Sequence, residues 1–383
     1  MSKSIQHPMN SIPRPPLVIG LLLLAVLACG KSVSPFPNPT YTPEASIFGS
    51  GRTAYGFFAT PPEVSIKSVF ATYKAIGQHG DVVLVQEAIP WADFVKGADV
   101  ESQKITDLKN SHQLAIANNL DTIYIVDPLN GLNRREFMGL PAGWQASFAN
   151  PDVRSAFRNY TLRLLREFNP RYLGLASEIN TYMQSHPEDA ANFLSLYREI
   201  YADIKAKSPE TQVFVTFQWE QLNNLAGFET VGARHQIQWE QIEIFEPQLD
   251  LWVISSYPFI AFPSGSAIPT DYYTPLLTRT DKPLAVAEGG FSSRPINQAP
   301  GAPQDQVDYL KAIHSQLGKR LDFWIYLLLD DLNLDSYAKV MSQQGTSSDD
   351  INTLGFFVSV GLREKDGTPK PALATWNTFL SAP

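Results

Sequence analysis

The chain has 383 residues, of which 44% are hydrophobic and 11% aromatic, with a formal charge of −8 and one cysteine. The length suits two ordinary domains or one α/β barrel, and a lone cysteine excludes a disulfide framework and a multi-cysteine zinc or iron–sulfur centre. Mild acidity without a basic run argues against nucleic acid or a bare anionic membrane surface as partner, which leaves small-molecule or polymer chemistry.

Residues 1–16 carry Lys3 and Arg14 and no acid, and 17–28 read LVIGLLLLAVLA. This is the layout of a secretory signal peptide, too short to span a bilayer core of about 30 Å comfortably. The run closes on Val26, Leu27, Ala28 and Cys29. It resembles a bacterial lipobox, in which the cysteine is diacylated and becomes the first residue of the mature chain. The only cysteine of the sequence stands at that position; the alternative is an ordinary signal or anchor with an incidental cysteine. Gly30, rather than Asp, follows, and the resemblance then implies a lipoprotein of the outer membrane with its domain in the periplasm or at the cell surface. Residues 29–51, rich in Pro, Ser and Gly, read as a flexible tether, and 52–383 as the catalytic domain.

From Thr53 onward, short β-branched or aromatic runs alternate with longer amphipathic ones. Strands are predicted over 53–59, 81–87, 121–127, 172–178, 212–218, 251–257, 283–289 and 322–329, mostly apolar throughout, as strands covered on both faces should be. Helices are predicted over 63–78, 101–119, 152–168, 187–207, 236–247 and 303–317, with a weakly marked one after the sixth strand. The clearest is 187–207, where Phe193, Leu196, Tyr197, Ile200 and Ile204 recur at helical spacing. Eight βα units in series predict an α/β fold, a (β/α)8 TIM barrel. A doubly wound sheet is the alternative, but no GxGxxG or P-loop follows any strand.

In such a barrel the chemistry sits at the C-terminal ends of the strands. Those positions hold Glu87 and Trp91, Asp127, Glu178 and Asn180, Gln218, Trp219 and Glu220, Tyr257, Glu288, and Asp330 with Asp331. They are carboxylates and aromatics. The six histidines show no metal-ligand spacing, and no GxSxG elbow occurs. No cofactor is implied and no metal site is assigned; Asp330, Asp331, Asp349 and Asp350 are the one acidic grouping that could offer oxygen ligands to a surface calcium. Two carboxylates flanked by flat rings are what glycoside hydrolysis requires: an acid for the leaving oxygen, and a partner that attacks or stabilises the anomeric carbon. Glu178 and Glu288, closing strands four and seven across the barrel mouth, are the natural pair, and a short separation would give retention of configuration.

YLGLASEIN (172–180) and LAVAEGGF (284–291) resemble the acid/base and nucleophile strands of the clan A glycoside hydrolases, the superfamily of endo-galactanases, cellulases and mannanases. The tail DGTPKPALATWNTF resembles their closing segment. The resemblance covers 53–381 and implies a retaining hydrolase of an oligo- or polysaccharide, acting as a monomer. Glu178 is then the general acid/base, its proton held by the negative charge on Glu288, and Glu288 the nucleophile, hydrogen-bonded by Tyr257. The pattern departs in three places: Ser177 stands where Asn is usual, strand two offers no arginine to support the nucleophile, and Trp324 lies too early in strand eight to floor a subsite. These departures keep open a non-catalytic carbohydrate-binding lipoprotein on the same barrel, and more remotely a scaffold for another protein. Trp91 and Trp219 are candidate sugar platforms, with core packing as the alternative. Asn180 would contact sugar or cap the next turn, and Glu87, Gln218 and Asp330 would line subsites or make structural hydrogen bonds. Trp144, in the long loop after strand three, would wall the cleft; Trp239 would pack on the barrel.

Overall fold

The computed structural model describes residues 46–225, 236–296 and 300–382. The signal segment, Cys29 and the tether as far as residue 45 lie outside the described residues. All eight predicted strands form: β1 (Ala54–Phe58), β2 (Val82–Ala88), β3 (Asp121–Asp127), β4 (Tyr172–Gly174), β5 (Gln212–Phe214, resumed at Thr216–Gln218), β6 (Trp252–Ser256), β7 (Leu284–Gly289) and β8 (Leu321–Tyr326). Every pairing between them is parallel. The hydrogen-bonded order runs from the first half of β5 through β4, β3, β2, β1, β8, β7 and β6 to the second half of β5. Its two ends are thus consecutive in the chain, separated only by Val215, and the sheet curls into a (β/α)8 barrel rather than an open doubly wound sheet.

Five long helices follow their predicted bounds within a few residues: α1 (Ile66–His79), α2 (Gln103–Ala117), α3 (Pro151–Phe168), α4 (Pro187–Lys207) and α5 (Pro303–Leu317); three more without predicted bounds come after β8, α6 (Leu334–Gln343), α7 (Ser348–Gly355) and α8 (Pro371–Leu380). Local chemistry explains their ends. Ser65 caps α1 by accepting from Ser68 N at 3.2 Å. Asn150 caps α3 ahead of Pro151, and Asn169 ends it in the left-handed conformation (φ 41°). In α4 the buried face includes all five residues of the predicted stripe. The helix expected over 236–247 shrinks to Glu240–Glu243. Its bonds tighten to the i−3 pattern at Phe245 and Glu246, just before Pro247, which has no N–H to donate.

Helix α8 seals the seam between the first and last strands. Trp376 packs its ring 5.2 Å from both Tyr55 and Trp324 and 5.1 Å from Phe57, and donates Nε1 to His79 O at 2.8 Å. Trp324 is accordingly a core residue, wholly buried. At the opposite end of the barrel from the strand C-termini, residues 46–51 are seated on the domain rather than free as tether. Ser46 Oγ and Ile47 N both donate to Asp121 Oδ2 at 2.8 Å, and the Phe48 ring meets Tyr172 edge-on at 4.9 Å. None of the helices among the described residues is long and apolar enough to cross a membrane.

Candidate active site

A cavity of about 510 Å³ opens at the C-terminal ends of the strands and is lined by Gln86, Asp127, Arg134, Glu178, Tyr257 and Glu288 among others. Two backbone irregularities aim its carboxylates. Strand β4 stops at Gly174, earlier than predicted, and Glu178 adopts the left-handed conformation (φ 48°, ψ 42°) before the short helix Ile179–Ser185. This geometry costs a non-glycine residue roughly 1–3 kcal/mol and persists only where the surroundings impose it. Here Glu178 N donates to Thr216 Oγ1 at 2.8 Å, Ser177 Oγ lies 3.2 Å from the same hydroxyl, and Ser177 N donates to Asp127 Oδ1 at 3.4 Å. Ser177 is therefore a buried splint between β4 and β5 and presents nothing to the cavity. On β7 the register with β6 shifts between Val286 and Glu288, so that Glu288 pairs with Ser255. Such a bulge re-aims the side chain that follows it. The adjacent Gly289 leaves space that the Tyr309 hydroxyl and Ser256 O occupy, at 2.4 and 2.6 Å from where a Cβ would stand. Its absence of a side chain thus serves packing rather than ligand approach.

A third element supplies the cation. The loop after β3 folds back as an antiparallel hairpin, Leu129–Asn130 against Asn133–Phe137, and delivers Arg134. Its guanidinium donates from Nη1 to Asp127 Oδ2 at 2.5 Å and from Nε to Glu178 Oε2 at 3.1 Å, and Nη2 stands 3.8 Å from Glu288 Oε2. Ser255 Oγ donates to the other oxygen of Glu178, Gln86 Nε2 to Asp127 Oδ2 at 2.8 Å, and the Tyr257 hydroxyl to Glu288 Oε1 at 2.5 Å. Burial works against the charge of Arg134, but Asp127, Glu178 and Glu288 together hold its pKa well above the ordinary value. Glu288 is pushed up to about 7, by burial first and then by the negative charge of Glu178, against the opposing pull of Arg134 and the Tyr257 hydrogen bond. The three carboxylates around one guanidinium do not all ionise freely near neutral pH.

The remaining predicted site residues divide by where they point. Tyr257 and Glu87 line the cavity, but Glu87 is tied to the ammonium of Lys104 in a buried pair. Trp91 and Trp219 do not line it. Trp91 is buried and donates Nε1 to Met138 O at 2.7 Å, and Trp219 lies in a cluster with Trp239 and Tyr273, at 6.0 and 6.4 Å. Both ride on a helical turn that begins right after their strand, Trp91–Phe94 and Trp219–Leu222, which swings the ring back into the core. Asn180 is also buried, exchanging bonds with the backbone of Gln218 (2.9 and 3.2 Å) to hold β4 against β5. Glu220 accepts from Gln218, Ser256, Tyr257 N and Tyr272 yet is pushed up to about 7 by its complete burial. The calcium grouping dissolves: Arg363 grips Asp330 at 2.7 and 2.8 Å, Lys370 grips Asp331 at 2.6 Å, and Asp349 and Asp350 sit in the first turn of α7. Among the described residues no cluster of His, Cys, Asp or Glu could hold a metal ion. The long β3 loop does wall the cavity, through hairpin residues such as Leu132 and Arg134 rather than Trp144.

Sequence reasoning missed Arg134, Ser255 and Thr216. NRREF offers two adjacent arginines, and only the hairpin pairing decides that Arg134 turns inward while Arg135 faces solvent. Replacing Arg134 with Met leaves three carboxylates without their cation. The expected loss of stability is about 3–5 kcal/mol at neutral pH. It should shrink on acidification, because the uncompensated carboxylates then take up protons more readily in the folded than in the unfolded chain. Urea melts at pH 5 and pH 8 check this, and equal losses at both would reduce Arg134 to a packing role.

No family model and no curated protein matches the sequence. The structure does match solved ones. The exo-beta-1,4-mannosidase from Opitutaceae bacterium strain TAV5 aligns with a TM-score of 0.61 and 13% identity over 88% of this chain, which spans only 62% of that longer protein. A GH5_18 protein from Bifidobacterium longum subsp. longum gives 0.60 and 14%, over 86% of this chain and 80% of its own. A family 39 glycoside hydrolase from Bacteroides cellulosilyticus WH2 gives 0.52 and 15%, over 86% and 64%. At such identities the likeness is one of fold, and this chain is built on the barrel that glycoside hydrolases of families 5 and 39 share.

Proposed function

We propose that this protein is a retaining glycoside hydrolase acting on an oligo- or polysaccharide, with Glu178 as general acid/base and Glu288 as nucleophile. The observation that carries the reading is the pair of carboxylates past the end of β4 and at the penultimate position of β7, lining one cavity and spanned by one guanidinium. A single Arg within 4 Å of both keeps them in reach of one sugar ring. Glu288 attacks the anomeric carbon while Glu178 protonates the departing oxygen; Glu178 then takes a proton from the water that hydrolyses the glycosyl ester. The solved neighbours include an exo-beta-1,4-mannosidase and proteins captured with Manb1-4GlcNAc, so β-mannosides are the first substrates to offer. Glu288→Gly is expected to lose at least about a thousandfold in kcat. Azide should restore turnover in that variant, with a glycosyl azide of inverted configuration as product. An unimpaired Glu288→Gly enzyme would remove Glu288 from the chemistry.

The productive state needs one proton on the pair, seated on Glu178 when Glu288 attacks. With Glu288 pushed up to about 7, the last shared proton leaves around neutral pH, and beyond that point no acid remains for the leaving group. Thus kcat/KM should fall about tenfold per unit above about pH 7. Tyr257→Phe removes a hydrogen bond that lowers the Glu288 pKa, so the alkaline limb should move to higher pH. A limb unmoved by Tyr257→Phe counts against this assignment.

We also propose that Cys29 carries a diacylglyceryl anchor and that the barrel works in the periplasm or at the outer surface. Cys29→Ser should move the protein from the membrane fraction to the soluble fraction of its host; retention in the membrane fraction would refute lipidation as the anchor.

A further inference from the structure

The wall of the cavity beside Glu288 has a chemistry that sugar hydroxyls do not ask for. Along it stand Leu327 and Leu328, just past β8, then Leu332, Met341 on α6, Leu354 on α7, and Phe357. Leu132 and Met138 of the β3 loop line the same cavity. The polar lining comes mostly from β2 to β5 and the segments that follow them, such as Gln86, Asp127, Arg134 and Gln218, and part of it is already engaged internally, as in the bonds of Gln86 and Arg134 to Asp127. Among the described residues no tryptophan lines the cavity, and the rings of the segment from Leu327 to Phe357 are Tyr337 and Phe357 among five aliphatic or thioether side chains. Aliphatic side chains offer a hydroxylated ring no hydrogen-bond partner while stripping its water, which is a net cost. The same side chains favour hydrocarbon. The apolar surface also begins at the reacting centre: the Phe357 ring meets Tyr257 edge-on at 5.0 Å, and the Tyr257 hydroxyl is 2.5 Å from Glu288.

We infer that the preferred substrate is a glycoside with an apolar aglycone, a long alkyl chain, whose sugar sits by the carboxylates and whose chain lies along the wall from Leu327 to Phe357. This rests on the glycosidase reading and names its substrate class. Cleavage breaks the bond between the anomeric carbon and the aglycone oxygen. The aglycone leaves as an alcohol with the proton of Glu178, and water supplies hydroxide to the sugar and a proton back to Glu178.

The test uses the wild-type protein and matched methyl, butyl and octyl β-glycosides of mannose, glucose and galactose. Calorimetric titration with the corresponding S-linked methyl and octyl glycosides runs beside it. Each methylene that reaches the wall should raise kcat/KM roughly threefold, so that octyl exceeds methyl by at least about a hundredfold. The S-linked octyl compound should bind at least about tenfold tighter than its methyl partner. Leu354→Gln should cut the octyl-to-methyl ratio about fivefold or more, and Leu332→Asn, on a different element, should do the same. Equal kcat/KM and equal binding for methyl and octyl members overturn the inference while leaving hydrolysis standing. Tighter octyl binding without cleavage of any glycoside overturns the hydrolase reading and keeps the apolar pocket. Neither cleavage nor chain-length dependence overturns both.

Discussion

One guanidinium governs the mouth of this barrel. Arg134 stands among Asp127, Glu178 and Glu288, all buried or nearly so, and like charges gathered at this spacing in a poorly hydrated space repel by several kcal/mol unless a cation or a proton intervenes. The cation comes from a loop, not from a strand. The hairpin after β3 must therefore fold before the carboxylates of β3, β4 and β7 can share the cavity in ionised form. The site's electrostatics depend on the part of the chain with the least regular pattern.

The barrel strands are fixed by hydrophobic pattern, so they were legible: eight runs, β-branched or aromatic and apolar on both faces, can hardly form anything but a covered parallel sheet. That Glu178 and Glu288 stand at the mouth was legible for the same reason, as charged residues ending apolar runs, although β4 itself stops at Gly174. The tryptophans were not, because a ring just after a strand faces the cavity or the core according to the turn that follows. At Trp91 and Trp219 that turn is a single helical one. Arg134 was illegible because its partners are 7, 44 and 154 residues distant and nothing local marks the inward register. The arginine that strand two lacks is in effect supplied from the next loop.

The two carboxylates reach their places by different means. Glu178 is turned by a strained backbone held by Thr216 and Asp127, and Glu288 by a register shift on β7. Ser255 connects the two, pairing with Glu288 in the sheet while its hydroxyl holds Glu178. Small hydroxyl residues hold Glu178 here, and Ser177 is part of that lattice. Strain at one carboxylate and a bulge at the other make the mouth intolerant of small shifts between β4, β6 and β7, which is the rigidity a pre-organised reaction centre requires.

The seat of residues 46–51 gives the molecule a polarity of its own. Ser46, Ile47 and Phe48 grip Asp121 and Tyr172 at the end of the barrel opposite the cavity. If Cys29 is held in a lipid leaflet, the 16 intervening residues span at most about 55 Å, and they join the domain from below. The chain therefore enters the barrel at the end farthest from the cavity, and the segment that precedes the domain leaves the mouth unobstructed at its point of entry. Whatever reaches the cavity does so without passing the segment that leads into the domain.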